Sequence, residues 1–208
     1  MSAAAAMRVR AILREARAIV TGSHVVYTSG KHGSAYVNKD AVYPSTAHVA
    51  ELCRHLADAA TAYRPEIVCG PAMGGIILAQ WTGHRLGVPA VYAEKNPSGG
   101  MTLRRGYDKL VAGKRVLVVE DVLNTGGSAR DAIAAVRAAG GNVVALAALV
   151  NRGGVTAADL DVPGLVALLD VPLEAFDAAS CPLCRDGVPV NTDVGKGREF
   201  LAARRGAP

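Results

Sequence analysis

An α/β fold with a mostly parallel central sheet flanked by helices is the class that this 208-residue sequence predicts. Strand-like and helix-like segments alternate along the chain with short loops between them, which is the pattern of right-handed βαβ units. Half of the residues are hydrophobic but only 4% are aromatic. The core must therefore be built from Val, Leu, Ile and Ala, as in sheets covered by helices. The length suits one domain, and we expect residues 1–208 to form it.

Hydrophobic spacing and local stop signals place the elements of the first half. Apolar residues at helical spacing in MRVRAILREARAI predict a first helix that ends near Gly22. Two short strands, HVVYTS and SAYVN, flank the turn SGKHGS. A second helix, TAHVAELCRHLADAATAY, is stopped by Pro65, which cannot continue a helix.

The second half continues the alternation from the buried strand EIVCG. The helix GGIILAQWTGHRLG is closed by Gly87, and the strand PAVYAEK leads into a polar, glycine-containing stretch at 96–113. The remaining predicted elements are the strand RVLVVED, the helix SARDAIAAVRAAGG, the strands NVVALAALVN and GLVALLD, and the short helix PLEAFDAA.

Charge and composition exclude several classes of function. The net charge of +5 favours anionic ligands such as phosphate esters, but no Lys/Arg run is dense enough to argue for nucleic acid. The longest apolar run, at 143–150, has the length of a strand and cannot span a membrane. Cys53 and Cys69 lie in apolar surroundings and are expected to be free thiols, so we expect a reduced, cytoplasmic protein.

The segment EDVLNTGGS, at the end of a predicted strand, carries the most informative pattern. The run from Thr125 to Ser128 offers backbone N–H groups, two glycines and two hydroxyls at a helix N-terminus, which together suit a phosphate. Glu120 and Asp121 would repel that phosphate, so they are expected to bind sugar hydroxyls of the same ligand, or a metal ion bridging to them. A solvated strand end would explain an acid pair alone. No Walker loop and no dinucleotide fingerprint is present.

The stretch VLVVEDVLNTGGS closely resembles the phosphoribosyl pyrophosphate (PRPP) motif of type I phosphoribosyltransferases. The resemblance implies that Glu120 and Asp121 hold the ribose hydroxyls and that the loop binds the 5′-phosphate. It also implies Mg²⁺ as a cofactor, held mainly through PRPP, with no dedicated protein ligands. The implied PRPP-binding segment is Glu120, Asp121, Val122, Leu123, Asn124, Thr125, Gly126, Gly127 and Ser128.

Other segments resemble orotate phosphoribosyltransferases in the same chain order, over about residues 8–170. SGKHGSAYVN is similar to their base-pocket segment, which makes residues 1–43 a hood over the site and 175–208 a tail. CGPAMGGI resembles the pyrophosphate loop, in which the Ala72–Met73 peptide is expected to be cis. The implied roles are Tyr36, Lys31, Asn124 and Arg152 for the base, with Arg152 on the orotate carboxylate; Ala72, Met73 and Gly74 for pyrophosphate; and Lys95, Arg104 and Arg105 on a mobile catalytic loop, with Lys95 and Asp121 catalytic.

Each of these side chains also has a structural explanation. Arg152 could form a surface ion pair at the end of a strand, and Tyr36 could belong to the core. Lys31 could be a solvated turn residue, and the basic loop residues could form a polar face. The chain also departs from the family pattern, with Thr28 in place of a lysine and Asn124 in place of a threonine.

The tail contains a C-x-x-C pair, Cys181 and Cys184. This pair supplies only two of four zinc ligands, and no second pair or histidine cluster is expected to complete it within the chain. A turn with two thiols is the preferred interpretation, and a metal shared between subunits is the alternative. The histidines His24, His48, His55 and His84 are expected to be structural.

The reaction implied by the resemblance converts orotate and PRPP into orotidine 5′-monophosphate and pyrophosphate. A homodimer is implied as well, with the mobile loop reaching the neighbouring site. Two alternatives remain open: transfer to a purine or another base, and a PRPP-sensing regulator without catalysis. The regulator would need a nucleic-acid-binding element, for which the sequence offers little support.

Overall fold

The computed structural model describes residues 3–171 and 174–205. Its strands are β1 (Ile19–Val26), β2 (His32–Val37), β3 (Ile67–Pro71), β4 (Ala90–Lys95), β5 (Met101–Thr102), β6 (Arg115–Leu123), β7 (Asn142–Asn151) and β8 (Leu165–Asp170). Its helices are α1 (Ala3–Glu15), α2 (Thr46–Ala60), α3 (Gly74–Leu86), α4 (Tyr107–Val111), α5 (Gly127–Ala138), α6 (Pro182–Arg185) and α7 (Gly197–Arg205). In these residue ranges no helix combines the length and apolarity that crossing a bilayer requires.

Within the described ranges, the central sheet has six strands in the order β5-β4-β3-β6-β7-β8. All neighbours pair in parallel except the short β5, which runs antiparallel to β4. The predicted class, an α/β fold with a mostly parallel sheet, is confirmed. The hairpin β1–β2 stands apart as a two-stranded antiparallel sheet.

The strands β3 and β6 lie side by side at the centre, and the chain leaves them in opposite directions. From β3 it passes through α3 to β4, and from β6 it passes through α5 to β7. Their carboxyl ends therefore border the crevice in which open α/β sheets bind ligands. The loop 71–74 and the segment 120–128 both meet at this crevice.

The sheet is buried on both faces, and β6 shows how its sequence achieves this. Val116 and Val118 pack into the apolar cluster that contains Ile133 of α5. Leu117 and Val119 alternate with them and pack into the opposite cluster, which is formed with α2 and α3. Because a central parallel strand must be apolar on both faces, the two acids that follow these residues at 120 and 121 have a different role from the rest of the strand.

Three segments differ from the expectation. The first helix ends at Glu15, because Arg17 adopts a positive φ of 53° and the next residues, from Ile19, pair with β2. The polar stretch 96–113 contains β5 and α4. The segment PLEAFDAA is not an α-helix where it is described: Phe176 bridges to His32 through two backbone hydrogen bonds of 2.8 Å, and a 3-10 turn follows at Ala178–Ser180. Residues 172 and 173 lie outside the described ranges.

The tail packs against the hood hairpin. Phe176 bridges to His32, and Val190 bridges to His24. The ring of Phe200 on α7 meets the His32 ring edge-on, with centroids 4.7 Å apart. This packing brings His24 and His32 to the thiols of the tail. The prediction that no histidines complete the C-x-x-C pair within the chain was therefore wrong, because the hairpin and the tail are adjacent only in the folded protein.

Candidate active site

A cavity of about 440 Å³ opens at the carboxyl ends of β3 and β6. Its walls come from the hood, from the loop after β3, from the end of β6 with the loop that follows it, and from Arg152 after β7. The predicted site residues that line it are Tyr36, Ala72, Met73, Gly74, Glu120, Asp121, Val122, Asn124, Thr125, Ser128 and Arg152. Leu123, Gly126 and Gly127 line a smaller adjoining pocket of about 190 Å³, together with Glu120 and Ser128.

The loop before α5 is shaped by local geometry. Gly126 caps the helix with a φ of 74°, a conformation that side chains rarely adopt. The Arg130 guanidinium donates to the Thr125 carbonyl, which fixes the loop from behind. Because the first N–H groups of a helix have no partner within it, the start of α5 offers donors and a positive dipole end to an anion.

The acid pair is buried and hydrogen-bonded, with Glu120 and Asp121 each only 5% exposed. Asp121 Oδ2 accepts from Lys39 Nζ at 2.6 Å and from the Tyr43 hydroxyl at 3.3 Å. Asp121 Oδ1 accepts from the Val122 N–H at 2.6 Å, and Glu120 Oε1 accepts from the Asp121 N–H at 3.0 Å. The two carboxylates are thus held at the cavity wall in fixed orientations.

Burial sets the protonation of this group. It raises the pKa of Glu120 to about 8, and the neighbouring Asp121 charge adds to the shift. Burial alone would lower the pKa of Lys39, but the hydrogen bond and charge of Asp121 outweigh it, and that pKa is raised. The pKa of Tyr43 is raised by burial and then by Asp121. Lys39 and Asp121 lie at ion-pair distance, and the raised pKa of Glu120 leaves that neighbouring side chain mostly protonated at pH 7 in the free protein.

Lys39 and Tyr43 were missed by the sequence analysis. They lie four residues apart in the segment NKDAVYP, on either side of the end of a 3-10 turn at Lys39–Ala41. Nothing in the spacing connects them to Asp121, which is 82 residues from Lys39. A lysine directly after the predicted base-pocket strand SAYVN was the one available signal.

The loop after β3 approaches the acids so closely that only glycine fits at position 74. A Cβ there would lie 1.7 Å from Asp121 Oδ2 and 2.8 Å from Lys39 Nζ. The single proton of the Tyr43 hydroxyl is shared between Asp121 Oδ2 and the Gly74 carbonyl, which lies 2.9 Å away, so Tyr43 joins the hood to this loop. The Ala72–Met73 peptide bond is cis, as expected.

The other side of the cavity is formed by Arg152 and tyrosines of the hood. The Arg152 guanidinium lies 4.1 Å from the centre of the Tyr27 ring, a cation–π distance. The Tyr27 hydroxyl donates to the Ala35 carbonyl at 2.7 Å. The backbone N–H of Arg152 donates to the Leu123 carbonyl at 2.8 Å, which connects this wall to β6, the strand that carries the two acids. Tyr27 was also missed, because its place opposite Arg152 depends on the hairpin fold.

Four predicted site residues are not brought to the cavity. Lys31 is exposed, and its Nζ lies 3.4 Å from Asp177 in the tail. Arg105 is paired with Glu94 at 2.9 Å, at the base of the β4–β5 hairpin. The remaining two residues, Lys95 and Arg104, are also exposed and do not line the cavity.

Replacing Lys39 with methionine is expected to destabilise the protein by about 1 kcal/mol. The variant leaves the buried Asp121 carboxylate without its cation, and the partial exposure of Lys39 limits the cost. Urea-induced unfolding at pH 7 measures the free energy of unfolding. The control is Lys109→Met, on an exposed position of α4. Equal stability of the two variants would show that the ion pair contributes nothing.

The chain is similar to phosphoribosyltransferases in three comparisons. The family model for the phosphoribosyl transferase domain matches residues 38–164. The orotate phosphoribosyltransferase of Caldanaerobacter subterraneus subsp. tengcongensis is 37% identical over 83% of this chain and 88% of that protein. The orotate phosphoribosyltransferase of Heliobacterium modesticaldum is 41% identical over 86% of this chain and 92% of that protein.

The fold agrees with these sequence relationships. The crystal structure of orotate phosphoribosyltransferase from Aeropyrum pernix superimposes with a TM-score of 0.66, covering 78% of this chain and 93% of that chain at 24% identity. That likeness concerns the fold, whereas the family follows from the matched domain and from the sequence identities. The chain therefore belongs to the phosphoribosyltransferase family, among the orotate phosphoribosyltransferases.

Proposed function

We propose that this cavity transfers the 5-phosphoribosyl group of PRPP to orotate, giving orotidine 5′-monophosphate and pyrophosphate. One observation supports the proposal most: a buried acid pair, a helix N-terminus and an arginine share one cavity. These groups match a diol, a phosphate and a carboxylate, which are the polar parts of the two substrates. The identity of the relatives, 37–41%, supports the same reaction.

PRPP would bind along the crevice between β3 and β6. The 5′-phosphate would accept from the N–H groups of the loop 125–128, and the ribose hydroxyls would donate to Glu120 and Asp121. The pyrophosphate would lie against residues 72–74, which are adjacent to the acids because only Gly74 allows so close an approach. Lys39, already paired with Asp121, keeps that carboxylate oriented.

Orotate would bind on the opposite side, between the hood and Arg152. A guanidinium can donate two parallel N–H groups to a carboxylate, and the Tyr27 ring holds it in place from the other face. Tyr36 lines the same wall and offers an aromatic surface to the base, and Asn124 offers an amide. Lys31 is not part of this proposal, because it pairs with the tail.

The chemistry is a displacement at C1′. A ring nitrogen of orotate forms a bond to C1′ as the bond to pyrophosphate breaks, through an oxocarbenium-like state, and the proton of that nitrogen passes to solvent. The protein's contribution is to orient both reactants and to stabilise the departing negative charge. We propose that the hairpin with Lys95, Arg104 and Arg105 moves to the pyrophosphate during turnover, because these cations are exposed in the free protein.

Magnesium is proposed as the cofactor that offsets the charge of the pyrophosphate. The acid pair fits it in chemistry, since Mg²⁺ prefers oxygen ligands. It does not fit as a complete cage, because both Asp121 oxygens already accept hydrogen bonds from the protein. Most ligands would have to come from PRPP and water, which is also what the family resemblance implies. The homodimer also stays a proposal, and sedimentation velocity would test it.

PRPP binding at pH 7 is expected to release protons from Glu120. Because of its raised pKa, Glu120 is protonated in most molecules of the free protein. Ribose hydroxyls donate to a carboxylate, so the bound state favours the ionised form and the proton leaves. Calorimetric titration in buffers of different ionisation enthalpy counts the protons released.

The matched variant is Glu120→Gln, which cannot titrate. The difference in the number of protons released by variant and wild type is the contribution of Glu120, because the phosphates of PRPP contribute equally to both. This difference is expected to disappear well above pH 8. The same raised pKa affects the stability of the free protein. Because folded Glu120 binds its proton more tightly than an unfolded glutamate does, the free energy of unfolding of the wild type falls as pH rises from 4.5 towards 8. Equal proton counts for both proteins would refute the role of Glu120.

The direct test of function is an assay of the purified protein with PRPP, Mg²⁺ and a panel of bases. The proposal expects orotate to be consumed and orotidine 5′-monophosphate to appear, with no turnover of hypoxanthine or adenine. Consumption of a purine without orotate would select the alternative transferase. PRPP binding without turnover of any base would favour the regulator.

A further inference from the structure

Four side chains of the hood and the tail converge on one point outside the active-site cavity. They are His24 on β1, His32 on β2, and Cys181 and Cys184 at the start of the tail. One donor atom from each lies within 4.8 Å of every other. We propose that they bind a structural zinc ion, which fastens the tail to the hood hairpin.

The distances suit a tetrahedral ion. Bond lengths of about 2.3 Å to sulfur and about 2.05 Å to nitrogen place tetrahedral ligands about 3.3 to 3.8 Å apart. Cys184 Sγ lies 3.3 Å from His32 Nδ1 and 3.7 Å from His24 Nε2, and Cys181 Sγ lies 3.8 Å from His24 Nε2. The two ring nitrogens, His24 Nε2 and His32 Nδ1, are 2.8 Å apart, so zinc binding requires them to move about half an ångström further from each other.

The surroundings of the ligands also suit a metal. His24 Nδ1 lies 2.8 Å from the Val188 carbonyl, which can only accept, so that nitrogen carries the proton and Nε2 presents its lone pair to the cluster. His24, His32 and Cys181 are at most 2% exposed, so an ion there would be shielded from solvent.

The donor set identifies the metal. Two sulfurs and two nitrogens in tetrahedral arrangement select zinc over Mg²⁺ or Ca²⁺, which take oxygen ligands. Two thiolates also neutralise the charge of Zn²⁺, so a closed, buried site is electrostatically favourable. A fourth protein ligand leaves no position for substrate, which makes the role structural.

The position explains what the ion would do. The two histidines and the two cysteines come from distant parts of the chain; Cys184, for example, lies 152 residues after His32. The hairpin that carries the histidines also carries Tyr27 and Tyr36, which line the cavity. All four ligands lie outside the matched domain at 38–164. The zinc would therefore hold the base-side wall of the cavity in place without touching a substrate.

The test is the metal content of the protein purified without chelator. We expect about one zinc ion per chain in the wild type, less than about a tenth of that in the double variant Cys181→Ser/Cys184→Ser, and full zinc in the control Cys53→Ser, a buried thiol of α2. Cobalt exchange adds a spectroscopic readout that a structural turn would not give: sulfur-to-cobalt charge-transfer bands and visible bands of a tetrahedral ion. Removal of the zinc is expected to lower the thermal midpoint.

If the double variant does not fold, the wild type alone still decides the question. Zinc with two sulfur and two nitrogen neighbours in X-ray absorption supports the proposal. A folded wild type that stays metal-free when zinc is supplied would overturn it, as would a Cys181–Cys184 disulfide in protein alkylated at lysis. Because these readouts do not depend on turnover, they stay valid whichever base the cavity uses.

Discussion

Asp121→Asn is expected to lower kcat/KM for PRPP by about 100-fold, a loss of about 3 kcal/mol. The amide has nearly the same shape as the carboxylate but no charge. It therefore forms a weaker hydrogen bond with Lys39 and accepts a weaker hydrogen bond from a ribose hydroxyl. Both effects act on the bound sugar, so kcat and PRPP affinity are expected to fall together. Steady-state kinetics and calorimetric titration with PRPP measure the two quantities.

The matched control is Asp131→Asn, which removes one carboxylate from an exposed position of α5. It is expected to behave as the wild type in both measurements. Full activity in Asp121→Asn would show that this carboxylate does not hold the sugar. Thermal unfolding of both variants separates a local loss from a loss of fold.

Arg152→Ala is expected to raise KM for orotate by about 100-fold and to leave PRPP affinity unchanged. The variant removes the fork that would bind the orotate carboxylate, and charge-assisted bonds of this kind contribute about 3 kcal/mol. It also frees the Tyr27 ring from its cation. Initial rates measured over orotate concentration at saturating PRPP, and over PRPP concentration at saturating orotate, give the effect on each substrate separately.

Two further variants sharpen this result. Arg152→Lys keeps the charge without the planar fork and is expected to recover only part of the loss. Arg54→Ala, at a partly exposed position of α2, is the control for removing an arginine. An equal rise in KM for PRPP would place Arg152 on the phosphoribosyl group and contradict its assignment to the base.

Much of the fold could be predicted because its elements have clear periods and stops. Gly87 adopts the left-handed conformation that ends α3, as its place in the sequence indicates. Predictions failed where tertiary pairing decided the structure. Ile19 and its neighbours continue a helical pattern but pair with β2, and Phe176 joins the hairpin although its segment has helical spacing.

The site residues also divide into those that local sequence identifies and those that only the folded chain brings together. The acid pair and the loop 125–128 are contiguous in sequence, so their chemistry could be read directly. Lys39 and Tyr27 come from the hood and reach their partners across 82 and 125 residues, respectively. The histidines near the tail thiols escaped notice for the same reason: ligand spacing within a sequence describes local metal sites, whereas this cluster joins two distant segments.

A crystal structure with ribose 5-phosphate would show whether one sugar phosphate spans the acids and the helix N-terminus. We predict the phosphate within hydrogen-bond distance of the N–H groups at 125–128, and the 2′- and 3′-hydroxyls facing Glu120 and Asp121. A phosphate bound elsewhere, or a sugar turned away from both carboxylates, would contradict the account.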